Sequence, residues 1–378
     1  MSQPTGFQDK TCPNHVCLLH KSLYGLKQAP RAWFECFTSY LCTLGFVVSN
    51  ADPSLFIRLV GSSFTYLLLY VDDIIVTGPD FSYISLLKTQ LALEFQISDL
   101  GPLNYFLCLE IHSLPNSLFV NQAKYLNDLL HILGMISAKS YTTPMSPSLD
   151  LYTTAPPFND PSLYRKLVGS LQYLTFTCPD IAFSLNRVSQ IMHKPTVIHF
   201  STVKCILRYL CGTPTLGINF RKSSFSLLTF CDSDWAGDTF DRRSASGFIA
   251  FLGSNPISRS SKKQPTVSRS STKAEYRSLA TTTTDLYWIQ QLLCDLRVPL
   301  KTSLTLWCDN ASAVSLARNP VFHARTKHIE IDYHFVWKKV LRNDISVCHI
   351  SSDKQLADIL TKLLLAPTFL HLRNKLLT

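Results

Sequence analysis

The sequence is poor in charged residues and contains no long uninterrupted apolar segment. Charged residues make up 16% of the 378 positions, against roughly a quarter in typical soluble domains, while hydrophobic residues make up 46%. This balance argues against a disordered chain and predicts two or three domains with substantial cores. Since no apolar run reaches roughly 18 residues and no basic flank precedes an apolar segment near residue 1, we predict neither a membrane-spanning helix nor a signal peptide.

The sequence also lacks the usual cysteine motifs of metal and disulfide sites. It has twelve cysteines, but none forms a Cys-x-x-Cys pair, and the closest pairs have no histidines at zinc-finger spacing. Scattered cysteines of this kind are typical of free thiols in a reducing environment. We therefore predict an intracellular, reducing compartment, either the cytoplasm or the nucleus.

The first chemical signal is Tyr-Val-Asp-Asp at residues 70–73, inside an apolar run over residues 64–76. Burying the adjacent carboxylates of Asp72 and Asp73 would be costly, so we expect a β-hairpin with both at its tip. Divalent metals prefer carboxylate oxygens, and pairs of such metals serve phosphoryl transfer. Taken alone, the motif is equally compatible with an ordinary hairpin turn.

A second motif, Ser-Leu-Tyr-Gly-Leu-Lys-Gln-Ala-Pro-Arg-Ala-Trp, occupies residues 22–33. Its glycine and proline predict backbone held close to a flat ligand, followed by a helix. Together the two motifs resemble the reverse transcriptase of copia-type LTR retrotransposons. Further segments that resemble the same family follow in the family's order, at residues 100–107, 164–174, 232–238 and 270–277. The resemblance implies that the upstream motif contacts nucleic acid through Tyr24, Gly25, Lys27 and Gln28.

The resemblance implies a fold with α+β and α/β parts. It comprises a truncated reverse transcriptase palm over residues 1–95, a thumb and connection region over 96–225, and an RNase H-like domain over 226–378. Within the connection region, the Ser/Thr/Pro-rich stretch at 142–161 is predicted to be a linker.

In the family, the first polymerase aspartate precedes a segment resembling residues 1–7. We therefore expect the fingers and a third metal-binding carboxylate to be missing, so that Asp72 and Asp73 form only part of a polymerase metal site. Two carboxylates at one tip cannot hold two metals alone, and we expect no polymerase activity from this chain by itself. A fingers segment or other Pol products would then be partners.

Four carboxylates stand at the ends of predicted elements in the second half. Asp232 ends a strand, Glu275 lies in the first turns of a helix, Asp309 follows another strand, and Asp358 lies on the last helix. The element order from residue 226 suits an RNase H-like domain. The resemblance implies that the four form an Asp-Glu-Asp-Asp site for two Mg²⁺ or Mn²⁺ ions roughly 3.5–4 Å apart. Each carboxylate taken singly is equally a helix cap or a surface group.

Other residues of the second half are expected to have roles apart from metal binding. Asp234 and Asp238 are expected to hold the turn around Trp235 rather than to bind metal. His323, His328 and His334 are expected to take structural or phosphate-side roles, since no cysteine is spaced to complete a zinc cluster. His328, which lies beside Lys327, is expected to help orient substrate.

The net charge of +10 and the pI near 9.0 favour a polyanionic partner. Basic residues surround Glu275 in sequence, and phosphate contacts need charge more than geometry. The predicted contacts to an RNA–DNA hybrid are Arg259, Lys262, Lys263 and Arg269. An ordinary solvated basic face is the alternative. Arg259 also stands where the family usually has Trp, which would put a charge where an indole packs.

Three functions remain open at this point. The chain is a working hybrid ribonuclease, an inert retrotransposon relic, or a nucleic-acid-binding module without catalysis. The carboxylates favour the first, and the expected lack of fingers favours the second. A binding module needs the basic residues but has no use for the four acids.

Overall fold

The computed structural model describes residues 2–18, 25–300, 302–319 and 330–377. The chain divides into two compact units, Met1–Gly101 and Pro102–Thr378. Tyr24, Lys327 and His328, three of the predicted nucleic-acid contacts, lie outside the described residues.

The first unit is an antiparallel sheet packed against two helices. Its elements are α1 (Ala29–Thr43), β1 (Val47–Val48), β2 (Leu55–Val60), β3 (Ser63–Tyr70), β4 (Asp73–Thr77) and α2 (Phe81–Phe95). The strands follow one another in chain order. Phe37 of α1, Phe56 of β2 and Leu87 of α2 are fully buried in a common core. The predicted order of helix, hairpin and helix is confirmed.

The second unit begins with a small antiparallel sheet and a group of helices. The strands are β5 (Tyr105–Phe106), β6 (Leu109–Leu114), β7 (Ser117–Asn121) and, much later in the chain, β8 (Ile218–Arg221). The helices between them are α3 (Ala123–Ile132), α4 (Pro161–Leu174), α5 (Ala182–Ser189) and α6 (Val197–Cys211). Helix α5 begins directly after a short 3-10 turn at Pro179–Ile181.

A five-stranded mixed sheet with its helices completes the second unit. In chain order the elements are β9 (Leu227–Asp234), β10 (Ala245–Leu252), β11 (Asn255–Lys263), α7 (Ser271–Asp295), β12 (Leu304–Cys308), α8 (Ala311–Arg318), α9 (Glu330–Leu341), β13 (Ile345–His349) and α10 (Ala366–Leu376). The strand order is β11-β10-β9-β12-β13, with β12 parallel to both of its neighbours. The mixed α/β fold predicted from residue 226 onward is confirmed.

One element differs from its prediction. Asp358 lies on a 3-10 helix at Leu356–Leu360, and the last α-helix begins only at Ala366. Pro367 stands in the first turn of that helix. Because proline has no backbone N–H to donate inside a helix, it starts a new one instead of extending the preceding turn.

The five-stranded sheet is covered on both faces. Residues of α7, α8 and α9 pack on one face. On the other face, Ile249 and Phe251 of β10 share one core with the connection helices and α10, including Leu171 and Ile206. Residues 102–225 therefore bury one face of the sheet.

The stretch predicted to be a linker, residues 142–161, is irregular up to the start of α4 but closely packed. Met145 and Leu151 are buried, at 3% and 2% exposure. The hydroxyl of Tyr152 donates a 2.7 Å hydrogen bond to Asp238 beyond β9. Proline and serine prevent regular structure here, but the apolar side chains between them anchor the stretch to the fold. It holds parts of the unit together, contrary to the linker prediction.

All twelve cysteines are free thiols, and Cys178, Cys231 and Cys308 are buried. Within the part of the chain that the structure describes, no helix combines the length and apolarity needed to cross a bilayer.

Candidate active site

The large sheet brings the four predicted carboxylates of the second unit into one site. Asp232 lies on the central strand β9, and β12 runs parallel beside it, so Asp309 emerges at the same edge. Asn310 caps α8 by accepting a hydrogen bond from the N–H of Ala313, which fixes the turn that carries Asp309. Carboxylate oxygens of Asp232, Asp309 and Asp358 lie within 4.8 Å of one another.

Glu275 joins the same site from α7. Its carboxylate, the sulfur of Cys308 and the carboxylate of Asp309 form a second group within 4.8 Å. Asp309 is common to both groups and lies between the other acids. Four carboxylates from four separate elements therefore converge, in a way that no single stretch of sequence produces.

The acids are buried and repel one another. Asp232 is 1% exposed and Glu275 is 5% exposed. Burial, and then the charge of Asp232, raise the pKa of Glu275 to about 11. The same two causes raise the pKa of Asp358 to about 6, and burial raises that of Asp232. Crowded buried carboxylates of this kind characterise functional sites, since a bound cation relieves their repulsion.

Two residues that the sequence analysis missed fix Asp232. The ammonium of Lys362 lies 3.3 Å from one oxygen of Asp232 and 2.7 Å from Oδ1 of Asp358. The hydroxyl of Thr361 donates to the other oxygen of Asp232. The spacing of four residues between Asp358 and Lys362 is a recognised ion-pair signal and would have revealed the lysine.

Asp309 is fixed by two further residues. Ser352 donates a 2.8 Å hydrogen bond to its Oδ2, and Nε2 of His349 lies 3.1 Å from its backbone carbonyl oxygen. His349 is placed there because Cys308 and His349 face each other in the β12–β13 pairing. Sequence spacing carries no signal for this contact, which depends on the register of two strands.

The donor set fits hard divalent cations. The oxygens of Asp232, Asp309 and Asp358 are ligands that Mg²⁺ and Mn²⁺ prefer, and they come from rigid elements. The buried sulfur of Cys308 lies 3.8 Å from Oε2 of Glu275 and is a soft donor. The three aspartates and Glu275 are therefore the residues that would hold such ions.

The basic residues predicted to contact nucleic acid lie in different environments in the structure. Lys262 and Arg269 are exposed. Lys263 is instead ion-paired, with its ammonium 2.7 Å from Asp238 and 2.9 Å from Asp241. The contrast arises because successive strand residues point to opposite faces, and Lys263 points toward the face on which Asp238 and Asp241 lie.

Arg259 is likewise turned inward. Its guanidinium donates to the backbone carbonyl of Thr175 and lies over the ring of Phe176, 5.5 Å from the centroid. Arg259 therefore packs against the connection region and does not belong to the exposed basic surface around Glu275.

Asp238 and Asp234 have structural contacts, as expected. Asp238 is 3% exposed and accepts hydrogen bonds from Tyr152, Arg187 and Lys263. Asp234 accepts from the backbone N–H of Ala245.

In the first unit, Asp72 and Asp73 lie exposed at the tip of the β3–β4 hairpin, as predicted. Val71 takes a left-handed conformation in the turn, with φ of 52°. Upstream, Gly25 has a φ of +88°, and Lys27 and Gln28 are exposed, with Gln28 at the start of α1. Among the described residues, neither aspartate belongs to a group of three close metal-ligand side chains.

Comparisons with known proteins agree with this architecture. Residues 1–147 match the family described as "Reverse transcriptase (RNA-dependent DNA polymerase)". The chain is 49% identical over 379 residues to the retrovirus-related Pol polyprotein from transposon RE1 of Arabidopsis thaliana. The alignment covers 100% of this chain and 26% of the relative. The chain is 36% identical to the Pol polyprotein from transposon TNT 1-94 of Nicotiana tabacum, covering 96% and 28%. The chain thus spans about a quarter of the length of these relatives.

Two further comparisons concern parts of the chain. An uncharacterized mitochondrial protein of Arabidopsis thaliana, AtMg00810, is 48% identical over 224 residues, which cover 59% of this chain and 93% of that protein. A crystal structure of LC11-RNase H1 in complex with RNA/DNA hybrid matches 36% of this chain and 94% of its own, with 13% identity and a TM-score of 0.28.

The fold and the site define a reverse transcriptase region joined to an RNase H-like domain. With these relatives, the chain belongs to the copia-type retrotransposon Pol family, as the reverse transcriptase and RNase H region of such a polyprotein.

Proposed function

We propose that this chain cleaves the RNA strand of RNA–DNA hybrids by metal-dependent hydrolysis, with Mg²⁺ or Mn²⁺ as cofactor. Asp232, Glu275, Asp309 and Asp358 would hold the metal ions. The observation that carries the proposal is the convergence of these four buried or half-buried carboxylates from four elements. When bound, the ions supply an activated water and stabilise the leaving 3′ oxygen.

The residues around the carboxylates would keep them in position. Thr361 orients Asp232 and Ser352 orients Asp309, each through a hydroxyl donor. Lys362 neutralises part of the negative charge while no cation is bound. Ligands held on rigid elements by such contacts lose little entropy on binding, which favours a preorganised site.

A binding module without catalysis is the second candidate. The exposed Lys262 and Arg269 would suffice for phosphate contacts. The buried acids weigh against it, because a module that only binds a polyanion gains nothing from carboxylates that cost free energy to bury. The hydroxyl groups that donate hydrogen bonds to Asp232 and Asp309 weigh against an inert relic, because a relic does not need these carboxylates held in position.

For the polymerase region, we propose that Asp72 and Asp73 form part of a metal site beside the primer–template. Tyr24, Gly25, Lys27 and Gln28 would contact the nucleic acid there. A two-metal site needs more ligands than two carboxylates at one tip. Further carboxylates from elsewhere in the Pol polyprotein would complete it.

The test is a cleavage assay on the full chain with a hybrid carrying labelled RNA, in Mg²⁺ and in Mn²⁺. We expect RNA cleavage with the DNA strand intact, and loss of most of the rate in Asp309→Asn, because Asp309 belongs to both ligand groups. Asp344→Asn is the matched control, since Asp344 contacts Lys339 away from the site.

Two results would overturn the proposal. If the folded chain binds hybrid but never cuts it with either metal, the binding module or the relic is correct. If Asp309→Asn cuts as fast as the unchanged chain, the metal site is placed wrongly.

A further inference from the structure

A polar cleft outside the carboxylate site lies where β11 meets the connection helices α4 and α5. Its volume is about 230 Å³. Seven polar residues line it: Gln172, Thr175, Asn186, Arg259, Ser260, Ser261 and Lys262. No acidic residue contributes to its lining. A cleft with two cations, hydroxyls and amides but no carboxylate is suited to an anion.

The guanidinium of Arg259 carries a charge that the chain does not compensate. One of its nitrogens donates to the carbonyl of Thr175. Within the described ranges, it forms no salt bridge to any carboxylate, and the acidic group that could offset its charge is the thiol of Cys178. Burial raises the pKa of that thiol to about 12, so it is neutral at physiological pH. Burial also lowers the pKa of Arg259 to about 10, which still leaves it protonated.

A half-buried charge without a carboxylate partner is costly, and an anion in the cleft would offset that cost. Arginine presents several donors in a planar fork that matches two oxygens of a phosphate group. Lys262 is exposed on the rim and adds a second positive charge. Ser260 and Gln172 offer a hydroxyl and an amide to the remaining oxygens.

The cleft is also close to the carboxylate site. Ser261 pairs with Gly247 on β10, and Gly247 pairs with Asp232 on β9. Two strand spacings amount to about 10 Å. A nucleic acid that reaches the carboxylates therefore passes within reach of the cleft.

We propose that this cleft binds one phosphate group of a nucleic-acid backbone, with Arg259 as the bidentate donor and Lys262 at the rim. The choice of nucleic acid as the source of the phosphate rests on the proposed function. The site itself rests on the cleft and on the uncompensated arginine.

A purely structural role for Arg259 predicts different behaviour. Thr175 is the residue that ends α4, and a cation there stabilises a helix by interacting with its last carbonyls. In that case Arg259→Gln lowers the melting temperature equally in every buffer. In the phosphate-binding case, Arg259→Gln loses an additional stabilisation that appears only when phosphate is present, because only then does the bound anion contribute.

The first experiment measures melting of the full chain with millimolar inorganic phosphate or with chloride at the same ionic strength. We expect phosphate to raise the melting temperature of the unchanged chain, and Arg259→Gln to lose most of that increase. Arg318→Gln is the matched control, because Arg318 also donates to a backbone carbonyl, that of Val347, but lies outside the cleft. It should keep the increase. A phosphate effect that survives Arg259→Gln would overturn the site.

The second experiment identifies the source of the phosphate. Binding of a labelled hybrid is measured against salt concentration without divalent metal, so the outcome does not depend on cleavage. We expect Arg259→Gln to reduce the slope of log affinity against log salt by about one, the value for one lost phosphate contact. If the slope is unchanged in Arg259→Gln, while phosphate stabilises the unchanged chain and not this variant, the cleft takes free phosphate and the backbone assignment is overturned.

Discussion

Gly247 lies directly opposite Asp232 in the antiparallel pairing of β10 and β9. A Cβ atom on Gly247 would lie 2.7 Å from Cγ2 of Thr361 and 2.9 Å from Cβ of Leu360. The missing side chain is therefore what lets the segment carrying Thr361 approach the strand closely enough to donate to Asp232.

Gly247→Ala should displace that segment and disturb the carboxylate site. We expect a loss of about 1–3 kcal/mol in the free energy of unfolding from overpacking. We also expect hybrid cleavage to fall by on the order of 100-fold, because an ångström of misplacement is enough for that. Denaturant melts and cleavage rates check both. Gly169→Ala is the control, because Gly169 has open space around it on α4. An unchanged rate in Gly247→Ala would show that Thr361 does not need this approach.

Lys362→Met should separate the roles of the lysine with and without metal. Without metal, we expect the free energy of unfolding to fall by about 1–3 kcal/mol, because two carboxylates lose a charged hydrogen-bond donor. The affinity for Mn²⁺ should rise several-fold, since a competing positive charge is gone. Calorimetric titration with Mn²⁺ and melts in chelator measure these effects. Lys354→Met, at an exposed position nearby, should change neither. Weaker Mn²⁺ binding in Lys362→Met would contradict the argument.

Asp238→Asn should destabilise the protein in a pH-dependent way. Burial alone would raise the pKa of Asp238, but hydrogen bonds from Lys263 and Tyr152 outweigh it and lower the pKa from 3.8 to about 2. Because the folded-state pKa is depressed, the stabilisation is complete above pH 3.8 and is lost as the pH falls toward 2. We expect a difference of about 2 kcal/mol between the two proteins near pH 7.

That difference should shrink below pH 4 and vanish near pH 2, provided that the fold persists. Urea melts across this range measure it. Asp344→Asn serves as the comparison. A gap between the Asp238 variant and the unchanged chain that stays constant with pH would show that the carboxylate charge is not what stabilises the network.

Lys262 and Lys263 are adjacent in sequence but should respond differently to neutralisation. Lys262→Gln should weaken hybrid binding and reduce its salt dependence while leaving the melting temperature nearly unchanged. Lys263→Gln should lower the melting temperature, because Asp238 and Asp241 lose their partner. Paired binding titrations and thermal melts distinguish the two. Equal losses of binding without loss of stability would mean that both lysines face the nucleic acid.

The sequence alone predicts features that depend on local patterns, such as the periodic spacing of apolar residues or a short motif. The strands and helices around Asp232, Glu275 and Asp309 follow from apolar patterns and from a cap at Asn310. The tip of the hairpin at Asp72 follows from the cost of burying charge.

Features that depend on contacts between distant segments could not be predicted in the same way. Arg259 and Thr175 are 84 positions apart, so the inward turn of the arginine depends on where α4 packs. The pairing of Tyr152 with Asp238 spans 86 positions. The sequence predicts Asp358 on the last α-helix, whereas it lies on a 3-10 helix. Over so short a stretch, the apolar spacing of its neighbours suits both kinds of helix and does not distinguish them.

The shared core beneath the five-stranded sheet has a consequence for how this protein is divided. A fragment beginning at residue 226 would carry all four acids of the carboxylate site, yet Ile249, Phe251 and Phe369 would lose the helices that now cover them. An exposed apolar sheet face of that kind invites self-association. The smallest piece expected to remain monomeric is therefore the whole of Pro102–Thr378, because the connection region supplies part of the core beneath the five-stranded sheet.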